Sequence, residues 1–214
     1  MRQSRYWTAL PEWAVYPVLL APAVYLFAAG LMNELGADPL KALENELGKW
    51  ALKLLILGLA VTPLMRLARI NLVKYRRAVG LCAFTYITLH FMVYLGLDQQ
   101  FNWWAIWQDI VKRPYITIGV TAFVLLVPLA ITSNNLSIRK LGAQGWRRLH
   151  RLVYAAAPLG AIHYLLIVKA WPLEPIVYLG LVLGLLALRL MPRKSRPRLA
   201  NNRERDSRNI PIVE

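Results

Sequence analysis

Six stretches of the chain are almost free of charge: residues 13–32, 47–65, 78–97, 115–136, 152–168 and 175–191, each 17 to 22 residues long. A helix that crosses a bilayer needs about 20 mostly apolar residues, within a range of about 17–25. Lys49 and Lys53 sit near one end of the second stretch, and Arg189 lies near the end of the sixth. His90 lies inside the third and His163 inside the fifth. In lipid such spans must be helices or a closed barrel. These runs are too long and too uniformly apolar to be alternating barrel strands. The pattern predicts an all-α membrane protein, a bundle of six transmembrane helices over 13–191. Residues 1–12 read as a cytoplasmic N-terminus and residues 192–214 as a basic, disordered cytoplasmic tail. The first stretch follows Arg2 and Arg5, as a signal peptide would, but it is long and broken by Pro17 and Pro22. It reads as a retained helix.

Hydrophobic residues make up 57% of the 214 and charged residues 17%, against about 25% charged in a soluble domain. A formal net charge of +15 would suggest nucleic acid in a soluble protein. Here the charge follows the topology instead. Twenty of the 26 Lys and Arg fall in the N-terminus, the second-to-third connection, the fourth-to-fifth connection and the tail, and 6 fall on the other side. The positive-inside rule then places both termini in the cytoplasm of a multi-pass inner-membrane protein and removes the case for nucleic acid. Cys82 is the one cysteine, which excludes a disulfide framework and any cysteine cluster for zinc or iron–sulfur. Eight Trp and ten Tyr suit two membrane–water interfaces.

Ionisable residues inside a membrane mark function. Arg77 opens the third span and His90 follows 13 residues later; His150 opens the fifth and His163 follows 13 later. Each interval is about 20 Å of helix. His90 and His163 are therefore expected at one depth in the outer half, and Arg77 and His150 at another near the inner face. Two imidazoles on neighbouring helices can ligate a haem iron. They can also simply bond a neighbouring helix, or relay protons in a small transporter. Zinc is disfavoured because three histidines at two depths cannot close one tetrahedral site. Thirteen steps of about 100° turn a helix about 220° past whole turns, so an ideal helix points His150 and His163 to different faces, unless tilt or a kink at Pro158 brings them together. Otherwise His150 serves a second cofactor or a haem propionate, and Arg77 can supply a fork to propionate or phosphate.

The outer connection after the third span places Phe101, Trp103, Trp104, Trp107 and Ile110 at helical spacing, which predicts a short interfacial helix, an anchor or a docking surface. The inner connection before His150 is polar and basic and could hold a flavin phosphate or a quinone headgroup. It contains no GxGxxG and no P-loop. Neither a Ser/His/Asp triad nor an intramembrane carboxylate pair is present, which argues against hydrolysis.

The stretches KYRRAVGLCAFTYITLHFMVY (74–94), DIVKRPYITIG (109–119) and GWRRLHRLVYAAAPLGAIHYLLIVK (145–169) resemble the MsrQ (YedZ) family. These are the haem-binding membrane subunits of bacterial periplasmic methionine sulfoxide reductase systems, within the ferric-reductase-like transmembrane group. The resemblance implies haem b between helices, with metal ligands among His90, His163 and His150. It implies FMN as a further cofactor, with electrons drawn from the quinone pool or a cytosolic flavin reductase. The implied partner is a periplasmic molybdopterin-containing methionine sulfoxide reductase subunit. The wider group often carries two histidines on each of two helices, and Arg77 stands here where the second on the third span would be. The chain has neither a molybdopterin domain nor a catalytic cysteine pair, so the expected role is electron conduit rather than catalytic subunit.

Overall fold

The computed structural model describes residues 11–168 and 172–190. Among them are eight α-helices and no strand: α1 Glu12–Leu31, α2 Pro39–Leu67, α3 Arg76–Val93, α4 Trp103–Lys112, α5 Pro114–Ile131, α6 Asn135–Leu149, α7 Val153–Ile167 and α8 Leu173–Leu190. Short helical turns lead into α3 (Val73–Tyr75), continue it as a π turn (Tyr94–Asp98) and lead into α7 (His150–Leu152). Four of the apolar segments are long enough to cross a membrane: α1, α2, Val73–Asp98 around α3, and α5. The expectations for the first ten residues and for 191–214 lie outside the described residues.

Local signals set the ends of the helices, and three differ from the apolar pattern. The side chain of Asp38 accepts the Lys41 amide at 3.0 Å and Pro39 opens the helix, so α2 begins eight residues before the apolar run does. Lys41, Glu44 and Glu46 therefore stand on its first turns. Asn134 caps α6 by accepting the Ser137 amide at 2.8 Å, so α5 ends at Ile131 and Leu136 belongs to the next helix. The polar inner connection is itself helical, broken at Gly142, whose φ of 69° is one that glycine adopts freely.

The most extensive helix pairs are α2 with α3 and α5 with α7. Leu47, Leu54, Cys82, Ala83, Tyr86 and Ala156 lie in one buried cluster, and Leu52, Leu59, Ala157, Ala161 and Val182 form a second. The alanines of α7 let neighbouring backbones approach closely. Tyr86 is fully buried, and its hydroxyl donates to the Leu19 carbonyl at 3.0 Å, fastening α3 to α1. Many large apolar side chains face outward, among them Val18, Val24, Tyr25 and Leu31 of α1. A surface of this kind suits lipid contact.

The proline inside α2 carries a specific repair. Pro63 lies inside the helix and has no N–H for the carbonyl four residues before it, which is that of Leu59. Arg189 of α8 donates to this freed carbonyl at 2.7 Å and to the Tyr154 hydroxyl of α7 at 2.6 Å. One guanidinium thus ties three helices at a point where helix geometry leaves an acceptor unpaired. Arg189→Met is expected to cost about 1–3 kcal/mol, the price of stranding a buried carbonyl. Thermal unfolding in detergent reads this as a lowered midpoint, with a smaller loss for Tyr154→Phe. An unchanged midpoint in Arg189→Met would show that water or lipid satisfies Leu59 equally well.

Candidate functional site

A cavity of about 390 Å³ opens between α2, α3, α5 and α7, and His90 and His163 both line it. Its walls are largely apolar, with Leu52, Leu55, Ile87, Phe91, Phe123 and Leu126 among them. The two imidazole centroids lie 6.3 Å apart with ring planes crossed at 79°. Each ring is held by its Nδ1 on a backbone carbonyl of the neighbouring helix. His90 bonds Glu44 O of α2 at 2.9 Å, and His163 bonds Tyr115 O of α5 at 2.7 Å. A carbonyl can only accept, so each Nδ1 carries the proton and donates. Each Nε2 is then left with its lone pair, the tautomer that binds a metal.

At the α4 end of this cavity the walls become charged. Lys41 pairs with Glu44 at 3.1 Å and with Asp98 of the π turn at 3.4 Å. Lys49 pairs with Glu46 at 2.8 Å and Arg113 with Asp109 at 3.1 Å. The Tyr94 hydroxyl donates to Asp109 at 3.2 Å.

A second cavity, of about 690 Å³, lies at the opposite end of the bundle. Arg76, Arg77, Arg147 and Arg151 line it together with His150 and Trp146, and its described lining holds no carboxylate. Arg77 donates to Asn135 Oδ1 at 3.3 Å. His150 Nε2 lies 3.1 Å from Thr132 Oγ1, and that hydroxyl donates to Pro128 O at 2.6 Å. The imidazole is therefore the donor in the first of these bonds. The Trp146 indole stacks on the ring with centroids 3.8 Å apart and donates from Nε1 to Thr132 O at 2.9 Å. All three histidines are described, so none stands opposite His150. Burial, reinforced by the Arg76 guanidinium, holds the His150 imidazole below its ordinary pKa.

The structure thus gathers His90 with His163 and, separately, His150 with Arg77. The 13-residue spacing correctly separated the two levels. Sequence reading missed Glu44, Tyr115, Gly48 and Gly119, which seat the histidines, and Arg76, Thr132 and Trp146, which surround His150. Carbonyl partners leave no trace in side-chain identity, so Glu44 and Tyr115 carried no signal. The expected apolar face of α4 divides in two. Ile106 and Ile110 pack on Tyr94 and Leu95, while Trp103, Trp104 and Trp107 are 60–70% exposed.

The ring separation in the first cavity is compatible with a metal held between the two imidazoles. Two metal–nitrogen bonds of about 2.0–2.1 Å, with each ring centre roughly 1.1 Å behind its nitrogen, put the centroids about 6.3 Å apart. That equals the observed separation. His150 does not present a bare Nε2 in this way, because that nitrogen donates to Thr132.

This helical bundle, with two imidazoles on one apolar cavity, matches a known class of membrane component. The family model described as "Ferric reductase like transmembrane component" matches residues 47–161, more than half of the chain. The relatives narrow the class. A Brucella anthropi protein named "Protein-methionine-sulfoxide reductase heme-binding subunit MsrQ" is 52% identical over 193 residues, covering 90% of this chain and 87% of its own length. A Brucella ovis protein of the same name is 53% identical over 178 residues, covering 83% of this chain and 80% of its own. The chain belongs to the MsrQ family.

The depressed His150 imidazole makes stability depend on pH. The unfolded chain takes up this proton near pH 6.5, whereas the folded protein takes it up only at lower pH. Its contribution to stability is complete above about pH 6.5 and is lost as the pH falls through the folded-state value. The melting midpoint of the wild type should fall on acidification below pH 6.5, and that of His150→Gln should fall less. Parallel profiles for the two proteins would place the titrating group elsewhere.

Proposed function

We propose that this chain is a six-span inner-membrane electron carrier, with both termini in the cytoplasm, that holds haem b between His90 and His163. It would serve a periplasmic, molybdopterin-containing catalytic subunit that reduces methionine sulfoxide. The observation that carries the reading is the pair of crossed imidazoles 6.3 Å apart, each with Nδ1 donated to a carbonyl. A proton relay would need these rings to exchange partners, and their commitment to backbone carbonyls favours the electron carrier. The naming of the relatives as heme-binding subunits of methionine sulfoxide reductase supports both the cofactor and the partner.

Haem, when bound, supplies a one-electron ferric/ferrous couple. The chain's residues do the rest. His90 and His163 present neutral Nε2 atoms at fixed orientation. Leu52, Leu55, Ile87 and Phe123 keep water from the site. Lys41, Lys49 and Arg113 line the same cavity and can meet the acidic edge of the cofactor. The six-span count and the orientation rest on the apolar pattern and on the 20-to-6 partition of basic residues, with α7 and α8 as the fifth and sixth spans.

The second cavity faces the cytoplasm in this orientation. Its four arginines and its stacked Trp146–His150 pair suit an anionic or aromatic ligand. This is where we place the donor site, for FMN phosphate or a quinone headgroup, with His150 and Arg77 as contacts. The same basic rim and the tail would also meet anionic lipid. The exposed tryptophans of α4 lie at the periplasmic end, at the membrane interface or against the catalytic subunit.

The purified protein should show a Soret band with sharp reduced α and β bands. His90→Ala and His163→Ala should each lose the low-spin spectrum while remaining in the membrane fraction. His150→Ala should keep that spectrum but be reduced more slowly by quinol or reduced FMN, and Arg77→Ala should show the same effect more weakly. A colourless preparation from haem-replete cells would overturn the reading. Unchanged reduction rates in both inner-side variants would move the donor site.

A further inference from the structure

The two cavity histidines are seated by the same local device on two different helices. In an α-helix the carbonyl of residue i faces the amide of residue i+4. The carbonyl has a second lone pair, and a donor from outside must reach it past the side chain at i+4. The carbonyl that receives His90 belongs to Glu44, and the residue four positions on is Gly48. The carbonyl that receives His163 belongs to Tyr115, and the residue four positions on is Gly119. In both cases the imidazole occupies the space a side chain would fill. A Cβ at Gly119 would stand 2.7 Å from His163 Nδ1 and 2.7 Å from its Cε1. A Cβ at Gly48 would stand 3.3 Å from His90 Nδ1 and 3.4 Å from its Cε1.

Most other glycines of the bundle behave differently. Gly160 lines the same cavity, and a Cβ there would meet nothing within 4 Å; the same holds for Gly80, Gly180 and Gly184. Gly48 and Gly119 lie inside α2 and α5, where glycine is less favourable than alanine. Neither has a positive φ, so backbone conformation does not call for glycine at either position.

We infer that Gly48 and Gly119 are positioning residues. Each opens a notch beside a helix carbonyl, and that notch fixes the tautomer, depth and plane of one axial imidazole. The inference rests on the haem reading above and deepens it. A metal-bound histidine that donates its other N–H to a carbonyl is more basic and is fixed in orientation, and loss of such a partner typically costs about 10–100-fold in metal affinity. A methyl in the notch pushes the ring off the carbonyl. The weakened Nδ1–H···O bond leaves a less basic ligand, which favours ferric iron less. The two sites should differ in degree, because His163 has no room for a Cβ at 2.7 Å, whereas His90 would need to yield by only a few tenths of an ångström.

The test compares Gly119→Ala, Gly48→Ala and Gly184→Ala in the full-length purified protein. It reads haem affinity by titration of the haem-depleted protein, the spin state by absorption, and the midpoint potential by redox titration. Gly119→Ala should bind haem about 10–100-fold more weakly, gain high-spin character and have a raised midpoint potential. Gly48→Ala should keep its haem and its low-spin spectrum with a smaller rise in potential. Gly184→Ala, whose Cβ would meet nothing within 4 Å and which lines neither cavity, should match the wild type in all three readings. If Gly119→Ala does not insert, Gly48→Ala decides, and a wild-type potential in that variant overturns the inference. So does wild-type affinity with an unshifted spectrum in a folded Gly119→Ala. A merely structural role would lower thermal stability without moving the potential of the haem that remains. The haem reading fails separately, in a wild-type protein that binds no haem.

Discussion

Inside a bilayer a backbone carbonyl engaged in its own helix still has one lone pair to offer. Two such carbonyls, of Glu44 and Tyr115, each receive an imidazole N–H from the next helix in this bundle. The rest of the site depends on these two bonds. They choose the tautomer, aim both Nε2 atoms away from the helix that holds them, and fix two rings at a common depth. They also explain the packing, because α2–α3 and α5–α7 are the most extensive helix pairs and each such pair carries one bond. The cavity is the space left where the two pairs face each other.

The two ends of the bundle are electrostatically opposite in kind. Around the first cavity every lysine or arginine has a carboxylate within 4 Å, as Lys41 has Glu44 and Asp98, and Arg113 has Asp109. Around the second, four arginines gather with no acidic residue in the described lining. The first end is balanced, and the second retains a field that attracts anions. The arginines fall in alternate connections along the chain. The fold then turns that pattern into a site by directing four of them toward one cavity with His150 and Trp146.

Much of this was legible in the sequence, for definite reasons. The apolar runs marked the helices because lipid forbids unpaired backbone, and the 13-residue intervals sorted His90 and His163 from Arg77 and His150 because helix rise is fixed. Helix ends were less legible. Asp38–Pro39 and Asn134 are capping signals that override the hydropathy boundary, which is why α2 starts early and α6 claims Leu136. The seating of the histidines was not legible at all. A main-chain acceptor has no sequence identity, and Gly48 and Gly119 look like any other glycine until the neighbouring helix is in place. The pairing of Arg189 with Leu59 was hidden for the same reason.

The geometry makes one spectroscopic demand on the proposed haem. The imidazole planes are crossed at 79°, close to perpendicular, and the electronic structure of a low-spin ferric haem is sensitive to that angle. Electron paramagnetic resonance of the oxidised, purified protein at low temperature measures it directly. A strongly anisotropic low-spin signal with a single large g value, as crossed imidazoles produce, is expected, together with its loss in His163→Ala. A rhombic low-spin signal of parallel imidazole planes, or a purely high-spin signal from the wild-type protein, would contradict it.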